Sequence, residues 1–443
     1  MEPLFPALKR IIPRPVFDIL ARAYHFALAG LAAVRYGFPS RALSVIGVTG
    51  TDGKTTVVHL LHEMLSSAGH RVGSLSSLRF KINDREEPNL LKMTMPGRFR
   101  LQRFLAECRA DGCRFAVIEV TSQGIVQSRH RFIRFSAAVL TNVTPEHIEA
   151  HGGFEPYRAA KVELFRRLPA SGMAILNRED PSAEFFAAST PAEIAWYSRA
   201  EVELKHVGHP VRVLDVSPSR LRLEIDNLFL ESGLGGAFNV MNILAAAACA
   251  MAFGVSLSAI AQAMGRVRVI PGRLEYVERE PFAVVVDYAN SPVAYEAVYQ
   301  ALTKSDLEPS QRAGREAAEI RKLICVFGAP GGGRDQWKRP ELGKIAAHYC
   351  REIILTSDDP EDEDPSAIGE EIRQGIPSTI RAIARIVLDR REAIRAALKS
   401  AKPGDTVVIT GMGAQPWLML PGGKIPWDDR RVVREELAKL SRE

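Results

Sequence analysis

The feature that most constrains the fold of this 443-residue chain is a glycine-rich loop between two differently patterned segments. An apolar run, Val45-Ile46-Gly47-Val48, leads directly into Thr49-Gly50-Thr51-Asp52-Gly53-Lys54-Thr55-Thr56. Apolar residues then recur at helical spacing over residues 55–68, and Gly69 supplies a helix stop. A loop that joins a buried strand to a helix directs backbone N–H groups and the positive end of the helix dipole at an anion.

The side chains of this loop favour a nucleoside triphosphate as that anion. Lys54 can meet the β- and γ-phosphates, and the Thr55 hydroxyl can ligate Mg²⁺. The strict GxxxxGK[ST] spacing fails because Val48 occupies the first glycine position, but Gly-Lys-Thr at a strand-to-helix junction still favours phosphate binding over a merely flexible turn. The loop residues expected to bind the nucleotide are Gly50, Thr51, Asp52, Gly53, Lys54, Thr55 and Thr56.

Short apolar runs alternate with helical segments along most of the chain, which predicts an α/β fold with two parallel sheets. Buried strands are expected at residues 43–48, 115–120, 137–140, 173–176, 282–286, 323–327, 353–356 and 406–409. Residues 200–236 alternate apolar and polar side chains instead, which favours a small antiparallel excursion. Residues 1–40 and 239–253 are expected to be helical, and Pro271-Gly272 marks the best domain boundary.

Charge and cysteine content exclude several classes of protein. The net charge of +6 is not gathered in one tract, and the densest basic patch, around Arg129, is too short for a nucleic-acid groove. Five cysteines without a CxxC pair exclude a zinc ribbon and favour reduced thiols in the cytosol. No secretory signal or spanning helix is expected, because charged residues interrupt the apolar stretch 16–36. A cytoplasmic protein is predicted, with a weak membrane-surface contact by amphipathic N-terminal helices as the alternative.

Several stretches in fixed order resemble the Mur ligases, the ATP-dependent amide-forming enzymes of peptidoglycan precursor synthesis. The loop is similar to the GT-x-GK-[ST]-[ST] sequence of that family. The other similar stretches are residues 119–122, 141–147, 151–152, 157–161, 238–242, 271–275, 287–292 and 425–430. The resemblance is greatest to the MurE type, which adds the third residue to a UDP-N-acetylmuramoyl-dipeptide.

The resemblance implies three parts of the chain. These are a helical N-terminal segment at residues 1–40, a central P-loop ATP-binding domain at 41–270 and a Rossmann-like C-terminal domain at 271–443. The family normally has a whole UDP-sugar domain where this chain has residues 1–40. The acceptor is therefore less determined than the reaction, and we expect a monomer that takes a UDP-muramoyl-peptide-like acceptor and a free amino acid.

The implied reaction is phosphoryl transfer followed by acyl transfer, with ATP and two Mg²⁺ ions. A substrate carboxylate attacks the γ-phosphate, and an amino group then attacks the acyl phosphate, so positioning and electrostatics carry the catalysis. The resemblance places metal ligands at Thr55, Glu119, His147 and Lys161, and catalytic roles at Lys54, His147, Lys161 and Arg273. Residues 144–147 look like an N-cap, a proline at the first helical position and His147 in the first turn.

The resemblance also implies that Lys161 is N-carboxylated. A neutral amine can capture CO₂ and give an anion that Mg²⁺ stabilises. The alternative is an ordinary surface lysine that extends past an apolar helix face.

Substrate contacts follow from the same resemblance. Those expected for the acceptor are Thr94, Met95, Thr121, Gln127 and Arg129. Those expected for ATP outside the loop are Asn242, Arg273 and Asp287. By itself, a lone arginine such as Arg129 is more often a solvated base. Met95 replaces the second of two threonines, so one hydroxyl contact is expected to be lost.

The stretch expected to bind the amino acid departs most from the family. The residues concerned are Arg334, Asp358, Asp359, Glu361, Gly411 and Gln415. Glu361 stands where the family has the arginine that binds the distal carboxylate of meso-diaminopimelate, so that amino acid is disfavoured. The acidic run 358–364 suits a cationic side chain such as lysine or ornithine, but a solvated acidic loop before a helix is equally compatible.

Two other functions are compatible with the sequence. One is a ligase similar to folylpolyglutamate synthase, and the other is a catalytically degenerate homologue that binds ATP and acts as a scaffold. Retention of Lys54, Thr55, Glu119, His147 and Lys161 favours catalysis over the scaffold.

Overall fold

The computed structural model describes residues 14–91, 93–303, 323–420 and 422–442. The first strands are β1 Ser44–Thr49, β2 Val72–Leu75, β3 Arg79–Ile82, β4 Arg85–Pro88, β5 Phe115–Glu119, β6 Phe135–Leu140, β7 Met173–Asn177, β8 Glu193–Tyr197, β9 Glu201–Leu204 and β10 Val207–Val216. The later strands are β11 Leu221–Ile225, β12 Leu228–Ser232, β13 Glu275–Glu278, β14 Ala283–Val286, β15 Leu323–Phe327, β16 Cys350–Leu355, β17 Ala384–Ile386, β18 Thr406–Ile409, β19 Trp417–Leu420 and β20 Gly423–Pro426.

Helices separate most of these strands. The first helices are α1 Arg14–Arg35, α2 Lys54–Ser67, α3 Arg98–Ala110, α4 Ser122–Val126, α5 Ile148–His151, α6 Phe154–Arg166 and α7 Ala183–Ala187. The later helices are α8 Phe238–Ala252, α9 Leu257–Arg266, α10 Pro292–Thr303, α11 Lys338–Tyr349, α12 Pro365–Gln374, α13 Arg390–Ser400 and α14 Asp429–Leu440. Short 3₁₀ turns lie at Pro39–Ala42 and Ser378–Ile383.

The chain divides into two compact units. Unit 1 comprises the described residues up to Val143 together with 155–209 and 244–260. Unit 2 comprises 144–154, 210–243 and the described residues from Ala261 onward.

Unit 1 is built on a sheet whose centre is parallel. The strand order is β9-β8-β7-β6-β1-β5-β2-β3-β4, and every neighbouring pair from β8 to β2 is parallel, whereas β9, β3 and β4 are antiparallel additions. The central strands β1, β5 and β6 are almost wholly buried, as expected where helices cover both faces of a parallel sheet.

Unit 2 contains a second sheet, in the order β13-β14-β18-β15-β16-β17. Strands β14, β18, β15, β16 and β17 run parallel, and β13 is an antiparallel edge. The α/β fold class with two largely parallel sheets is confirmed, and a strand lies at every apolar run that predicted one.

The antiparallel excursion expected at residues 200–236 is also confirmed. Strands β10, β11 and β12 form an antiparallel ladder. Asp226 and Asn227 join β11 to β12 with φ angles of 49° and 62°, the left-handed pair that a two-residue hairpin turn requires.

The structure describes only part of the expected N-terminal helical segment. Helix α1 covers part of the expected N-terminal helical segment, and residues 1–13 lie outside the described residues.

Cys325 and Cys350 form a disulfide, with Cα atoms 6.1 Å apart, so the expectation of five reduced thiols is wrong for this pair. The parallel crossover through α11 brings strands β15 and β16 side by side, which the spacing of the two cysteines does not reveal.

Among the helices of the described ranges, none combines the length and apolarity needed to cross a membrane.

A buried ion pair fixes the C-terminal helix to the second sheet. Arg390 and Asp429 have no exposed side-chain surface and form two hydrogen bonds, from Nε to Oδ1 and from Nη2 to Oδ2, each 2.8 Å long. Arg390 Nη2 also donates to the carbonyl oxygen of Thr410 at 2.9 Å, and Trp427 Nε1 donates to Asp429 Oδ1 at 2.8 Å.

Asp429→Asn is expected to lower the free energy of unfolding by about 3–5 kcal/mol, because it leaves the Arg390 charge buried and unpaired. Urea denaturation followed by tryptophan fluorescence measures this loss. The matched control is Glu435→Gln, which removes a half-exposed partner of Arg391 and should change stability by less than about 1 kcal/mol. Equal losses in the two variants would contradict the importance of the buried pair.

Candidate functional site

The phosphate loop of unit 1 is fixed in shape by the segment that follows β6. Gly50 adopts a φ of 153°, and a Cβ atom there would lie 1.8 Å from Thr141 Oγ1 and 2.9 Å from the carbonyl oxygen of Asn142. The backbone N–H of Thr51 donates to that carbonyl at 2.8 Å, and the N–H of Asp52 donates to Asn142 Oδ1 at 2.9 Å. The expected loop is therefore present, and no side chain fits at Gly50.

The loop presents its cation and the start of a helix together. Gly53 has a φ of 81° and immediately precedes α2, so the left-handed residue turns the chain into the helix. Lys54 Nζ donates to the carbonyl oxygen of Thr51 at 2.6 Å. Thr55 and Thr56 are buried at the first turn. This arrangement of an ammonium group and a helix N-terminus suits the phosphates of a nucleotide.

Oxygen donors gather beside the loop. Thr55 Oγ1 donates to Glu119 Oε2 at 2.9 Å and lies 2.9 Å from Ser77 Oγ, and the Ser77 N–H donates to Glu119 Oε2 at 3.0 Å. One carboxylate with two hydroxyls fits Mg²⁺, a hard ion that takes few protein ligands and keeps waters or phosphate oxygens for the rest. In the parts of the chain that the structure describes, no three or more His, Cys, Asp or Glu side chains are grouped to hold a metal ion.

Lys161 points at the phosphate loop. It lies on α6 with only 2% of its surface exposed, and its Nζ donates to the carbonyl oxygen of Gly50 at 2.6 Å. The same ammonium lies 4.4 Å from the centroid of the Tyr157 ring, and the Tyr157 hydroxyl is hydrogen bonded to Thr51 Oγ1 at 3.0 Å. The alternative of an ordinary surface lysine is therefore wrong.

Most of the residues expected to bind the acceptor lie together in unit 1. Arg129 Nη1 donates to the carbonyl oxygen of Met95, and Nη2 donates to Gln127 Oε1 at 2.6 Å. Thr121 is the N-cap of α4, where its Oγ1 accepts from the N–H of Gly124 at 3.1 Å. A Cβ atom on Gly124 would lie 2.4 Å from Met95 Sδ, so the N-cap and Met95 are adjacent, and Thr94 directly precedes Met95.

Arg129 is a buried cation and not a solvated base. Only 9% of its surface is exposed. Desolvation by burial, followed by the nearby charge of Arg98, lowers the pKa of Arg129 to about 10, so the side chain stays charged at neutral pH.

His147 belongs to unit 2, and its local structure differs from the expected one. Helix α5 begins at Ile148, after Thr144, Pro145 and Glu146, and His147 precedes it with a φ of 56°. The expectation of an N-cap at Thr144 with His147 in the first turn is therefore wrong. A left-handed residue before a four-residue helix leaves no pattern that helix-capping rules detect.

The residues of unit 2 that were expected to face ATP have defined local partners. Arg273 lies 4.4 Å from the centroid of the Tyr288 ring. Asp287 follows β14, and its two oxygens accept from the N–H groups of Leu274 and Ala289, each at 2.6 Å. Asp287 thus orders the turn that carries Arg273. Asn242, on α8, donates from Nδ2 to the side-chain carbonyl of Asn239 at 2.9 Å.

The acidic stretch expected to bind the amino acid is ordered by internal contacts. Asp358 is buried, and a Cβ atom on Gly411 would lie 1.9 Å from its Oδ2. Asp359 accepts from Gln415 Nε2 at 2.9 Å and from the N–H of Met419 at 2.7 Å. The structure therefore brings Asp358, Asp359, Gly411 and Gln415 together. The positive charge of Arg334 also acts on Asp358.

The rest of the acidic run is also structurally engaged. Glu363 Oε2 accepts from Arg339 Nη2 at 2.7 Å, and Asp364 caps α12 through the N–H of Ser366 at 2.9 Å. A Cβ atom on Gly332 would lie 2.5 Å from a carboxylate oxygen of Glu361. A wholly solvated acidic loop is therefore wrong.

Sequence reasoning missed a buried pair in unit 2. Lys338 Nζ donates to Glu146 Oε1 at 2.7 Å and to the carbonyl oxygen of Asn290 at 2.9 Å. Asp335 accepts from the N–H groups of Ile148 and Glu149 at 3.2 and 3.0 Å. Both contacts span more than 180 residues, so no local pattern could have found them.

The chain matches two models of known protein domains. A model of the Mur ligase middle domain matches residues 48–250, and a model of the Mur ligase glutamate ligase domain matches residues 272–413. A UDP-N-acetylmuramoyl-L-alanyl-D-glutamate–2,6-diaminopimelate ligase of Syntrophomonas wolfei is 37% identical over 93% of this chain and 81% of its own. A UDP-N-acetylmuramyl-tripeptide synthetase of Roseiflexus is 35% identical over 94% of this chain and 82% of its own.

Solved structures show the same relationship. One UDP-N-acetylmuramoyl-L-alanyl-D-glutamate–2,6-diaminopimelate ligase is 31% identical, with a TM-score of 0.57 over 90% of this chain and 79% of that one. The folylpolyglutamate synthase of Mycobacterium tuberculosis has a TM-score of 0.69 over 89% of this chain and 96% of that one. Its 17% identity shows a shared fold alone.

The carboxyl group of Asp358 is expected to make the free energy of unfolding depend on pH. Desolvation by burial raises its pKa from 3.8 to about 7, although the charge of Arg390 opposes the rise. The folded protein therefore keeps a proton that the unfolded chain loses, and this carboxyl lowers the free energy of unfolding progressively as pH rises from about 4 to about 7. The stability of Asp358→Asn relative to the unchanged protein should increase over that window and level off above it. Urea denaturation of both proteins at matched pH values measures the difference, and a constant difference from pH 4 to 8 would contradict the assignment.

Proposed function

This chain belongs to the Mur ligase family of ATP-dependent ligases, and we propose that it joins a free amino acid to a UDP-N-acetylmuramoyl-peptide-like acceptor in peptidoglycan precursor synthesis. The observation that carries the proposal is the assembly within unit 1 of three groups. These are the phosphate loop with Lys54, the oxygen cluster of Thr55 and Glu119, and the buried Arg129 among the expected acceptor residues.

The first step is transfer of the γ-phosphoryl group of ATP to an acceptor carboxylate. A carboxylate oxygen forms the new bond to phosphorus, and the bond to the ADP oxygen breaks. The loop N–H groups and Lys54 bind the phosphates and offset the charge that accumulates on them. Mg²⁺, when bound, would be held by the Thr55 hydroxyl and the Glu119 carboxylate and would neutralise phosphate charge.

The second step forms the amide. The amino group of the incoming amino acid forms a bond to the acyl carbon, and the bond from that carbon to the phosphate oxygen breaks. Phosphate leaves with one oxygen of the original carboxylate, and the attacking nitrogen releases a proton. Side chains need only position the two substrates and exclude water. We assign Arg129, Gln127, Thr121, Met95 and Thr94 to the acceptor.

In unit 2 the proposal assigns Asp358, Asp359, Gln415 and Arg334 to the amino acid. Roles for His147, Asn242 and Arg273 stay predictions from the family resemblance.

We further propose that Lys161 is N-carboxylated and contributes to the binding of a second Mg²⁺. Its burial and its position against the carbonyl of Gly50 support this role, because the group meets the phosphate loop directly. In the carboxylation, Nζ forms a bond to the carbon of CO₂ and releases a proton.

Carboxylation predicts a carbamate carbon signal in the ¹³C NMR spectrum of protein equilibrated with labelled bicarbonate. Lys161→Ala should lose the signal and at least about 100-fold of the ligase activity, because an anion that helps to hold metal is removed, and acetate should restore part of that activity. Arg166→Ala, an exposed residue of the same helix, is the control and should keep both. A Lys161→Ala variant with normal activity would contradict the role.

The third substrate is proposed to be an amino acid with a cationic side chain, such as lysine or ornithine. Glu361 supports this choice, because its carboxylate would repel the distal carboxylate of meso-diaminopimelate. The family resemblance implies an arginine at this position in ligases that take meso-diaminopimelate, so Glu361 is expected to separate this chain in specificity from relatives named diaminopimelate ligases.

Ligase activity is tested with UDP-N-acetylmuramoyl-L-alanyl-D-glutamate and a panel of amino acids, with ADP release and product mass as readouts. A cationic amino acid should stimulate ADP release, and Lys54→Ala should lower the rate at least about 100-fold because it removes a phosphate-binding charge. Glu361→Arg should shift preference toward meso-diaminopimelate. If no amino acid stimulated ADP release and Lys54→Ala changed nothing, the scaffold alternative would replace this proposal.

A further inference from the structure

A second arginine, which is half-buried, lies beside Arg129, and it is absent from the acceptor residues assigned above. Arg98 is the first residue of α3, and its Nη2 donates to the backbone carbonyl of Gln127. Arg129 Nη2 donates to the side-chain carbonyl of the same glutamine at 2.6 Å. Gln127 therefore holds the two guanidinium groups close to each other.

Among the described residues, the hydrogen-bond partners of these two cations are neutral. The other partners of Arg129 are the carbonyl oxygen of Met95 and the sulfur of Met93, at 2.9 Å from Nη2. Neither Arg98 nor Arg129 forms an ion pair with a carboxylate among the described residues. The Nε atoms of both side chains are buried and have no hydrogen-bond partner. Charges removed from water are normally paired in proteins, so the buried Arg129 and the half-buried Arg98 have the character of a site prepared for an anion.

Several other arginines near this site do have acidic partners. Arg100 and Arg103, on the same helix, pair with Glu87 at 3.5 Å and Glu107 at 2.7 Å. Arg131 lies 3.9 Å from Glu163. Carboxylates thus pair with several cations around α3, whereas within the described ranges none pairs with Arg98 or Arg129.

The N-terminal helix α1 forms one side of this site. Phe26 packs against Phe132 with ring centroids 5.0 Å apart, and a Cβ atom on Gly30 would lie 3.4 Å from the same ring. Phe132 belongs to the loop that carries Arg129. His25, on α1, feels the charges of both arginines. Burial, and then the charges of Arg98 and Arg129, lower the pKa of His25 to about 4. The histidine is neutral at pH 7, so it adds no charge that would need a partner.

We propose that Arg98 and Arg129 together bind a non-reacting anionic group of the acceptor, a carboxylate or a phosphate, and that Arg98 is a specificity-determining residue. Two guanidinium groups can each donate two parallel hydrogen bonds to such an oxyanion. This inference rests on the proposed function, and it gives helix α1 a part in acceptor binding.

The test compares Arg98→Gln with the matched control Arg103→Gln, an exposed arginine of the same helix. For the UDP-N-acetylmuramoyl-L-alanyl-D-glutamate acceptor, Arg98→Gln should raise KM about tenfold or more, because charge-assisted hydrogen bonds are lost. The KM for ATP should stay within about twofold. Arg98→Lys, which keeps the charge without the paired donors, should give an intermediate KM and guards against a glutamine variant that folds poorly. An unchanged acceptor KM, or an equal rise in Arg103→Gln or in the KM for ATP, would overturn the proposal.

Two altered acceptors identify the anionic group. If the group is the peptide carboxylate, amidation of the α-carboxyl should abolish the difference between Arg98→Gln and the unchanged protein. If it is the diphosphate, a muramoyl-dipeptide without the nucleotide should abolish that difference. A difference that persists with both altered acceptors would overturn the proposal.

Calorimetric binding of the acceptor without ATP separates this inference from the ligase reaction. Acceptor binding that is lost in Arg98→Gln, in a protein that forms no product, would refute the proposed reaction and support the anion site. Normal product formation together with unchanged acceptor binding in Arg98→Gln would support the proposed reaction and refute the anion site.

Discussion

The close packing of Gly50 against Thr141 and Asn142 is the constraint on which the site in unit 1 depends. Strands β1 and β6 are adjacent in the sheet, so their following loops meet at the same edge. The side chain and carbonyl of Asn142 fix the N–H groups of the phosphate loop, while the carbonyl of Gly50 accepts from Lys161. One glycine without a side chain thus lets three segments of the chain meet, and their hydrogen bonds fix the shape of the loop.

Buried cations have different kinds of partner in the two units. In unit 2 the buried cations are neutralised within the protein, as Arg390 is by Asp429 and Lys338 is by Glu146. In unit 1, the buried Arg129 and the half-buried Arg98 have neutral oxygens and sulfur as their hydrogen-bond partners. Paired charges hold a fold together, whereas a buried cation with neutral partners retains its attraction for an anionic substrate. The distribution of charge therefore separates residues that support the architecture from residues that are available to bind.

The sequence was sufficient for the elements and for the local features of the site. Apolar runs located the buried strands, and the Gly-Lys-Thr junction located the phosphate loop, because both depend on residues close together in the chain. Contacts between distant segments were not accessible in the same way. The disulfide between Cys325 and Cys350, the Lys338–Glu146 pair and the burial of Arg129 all arise from contacts between segments that are distant in the sequence. The turn at His147 was misjudged because its left-handed backbone has no residue signature there.

Labelling of the acceptor carboxylate with an oxygen isotope tests directly whether an acyl phosphate forms during the reaction. If the acceptor carboxylate is activated as an acyl phosphate, an acceptor labelled with ¹⁸O in that carboxylate must transfer one labelled oxygen to inorganic phosphate for each amide formed. Mass spectrometry of the released phosphate, with ADP as the other product, measures this transfer. The account predicts labelled phosphate in proportion to the product. Amide formation with unlabelled phosphate, or with the label in AMP, would contradict it.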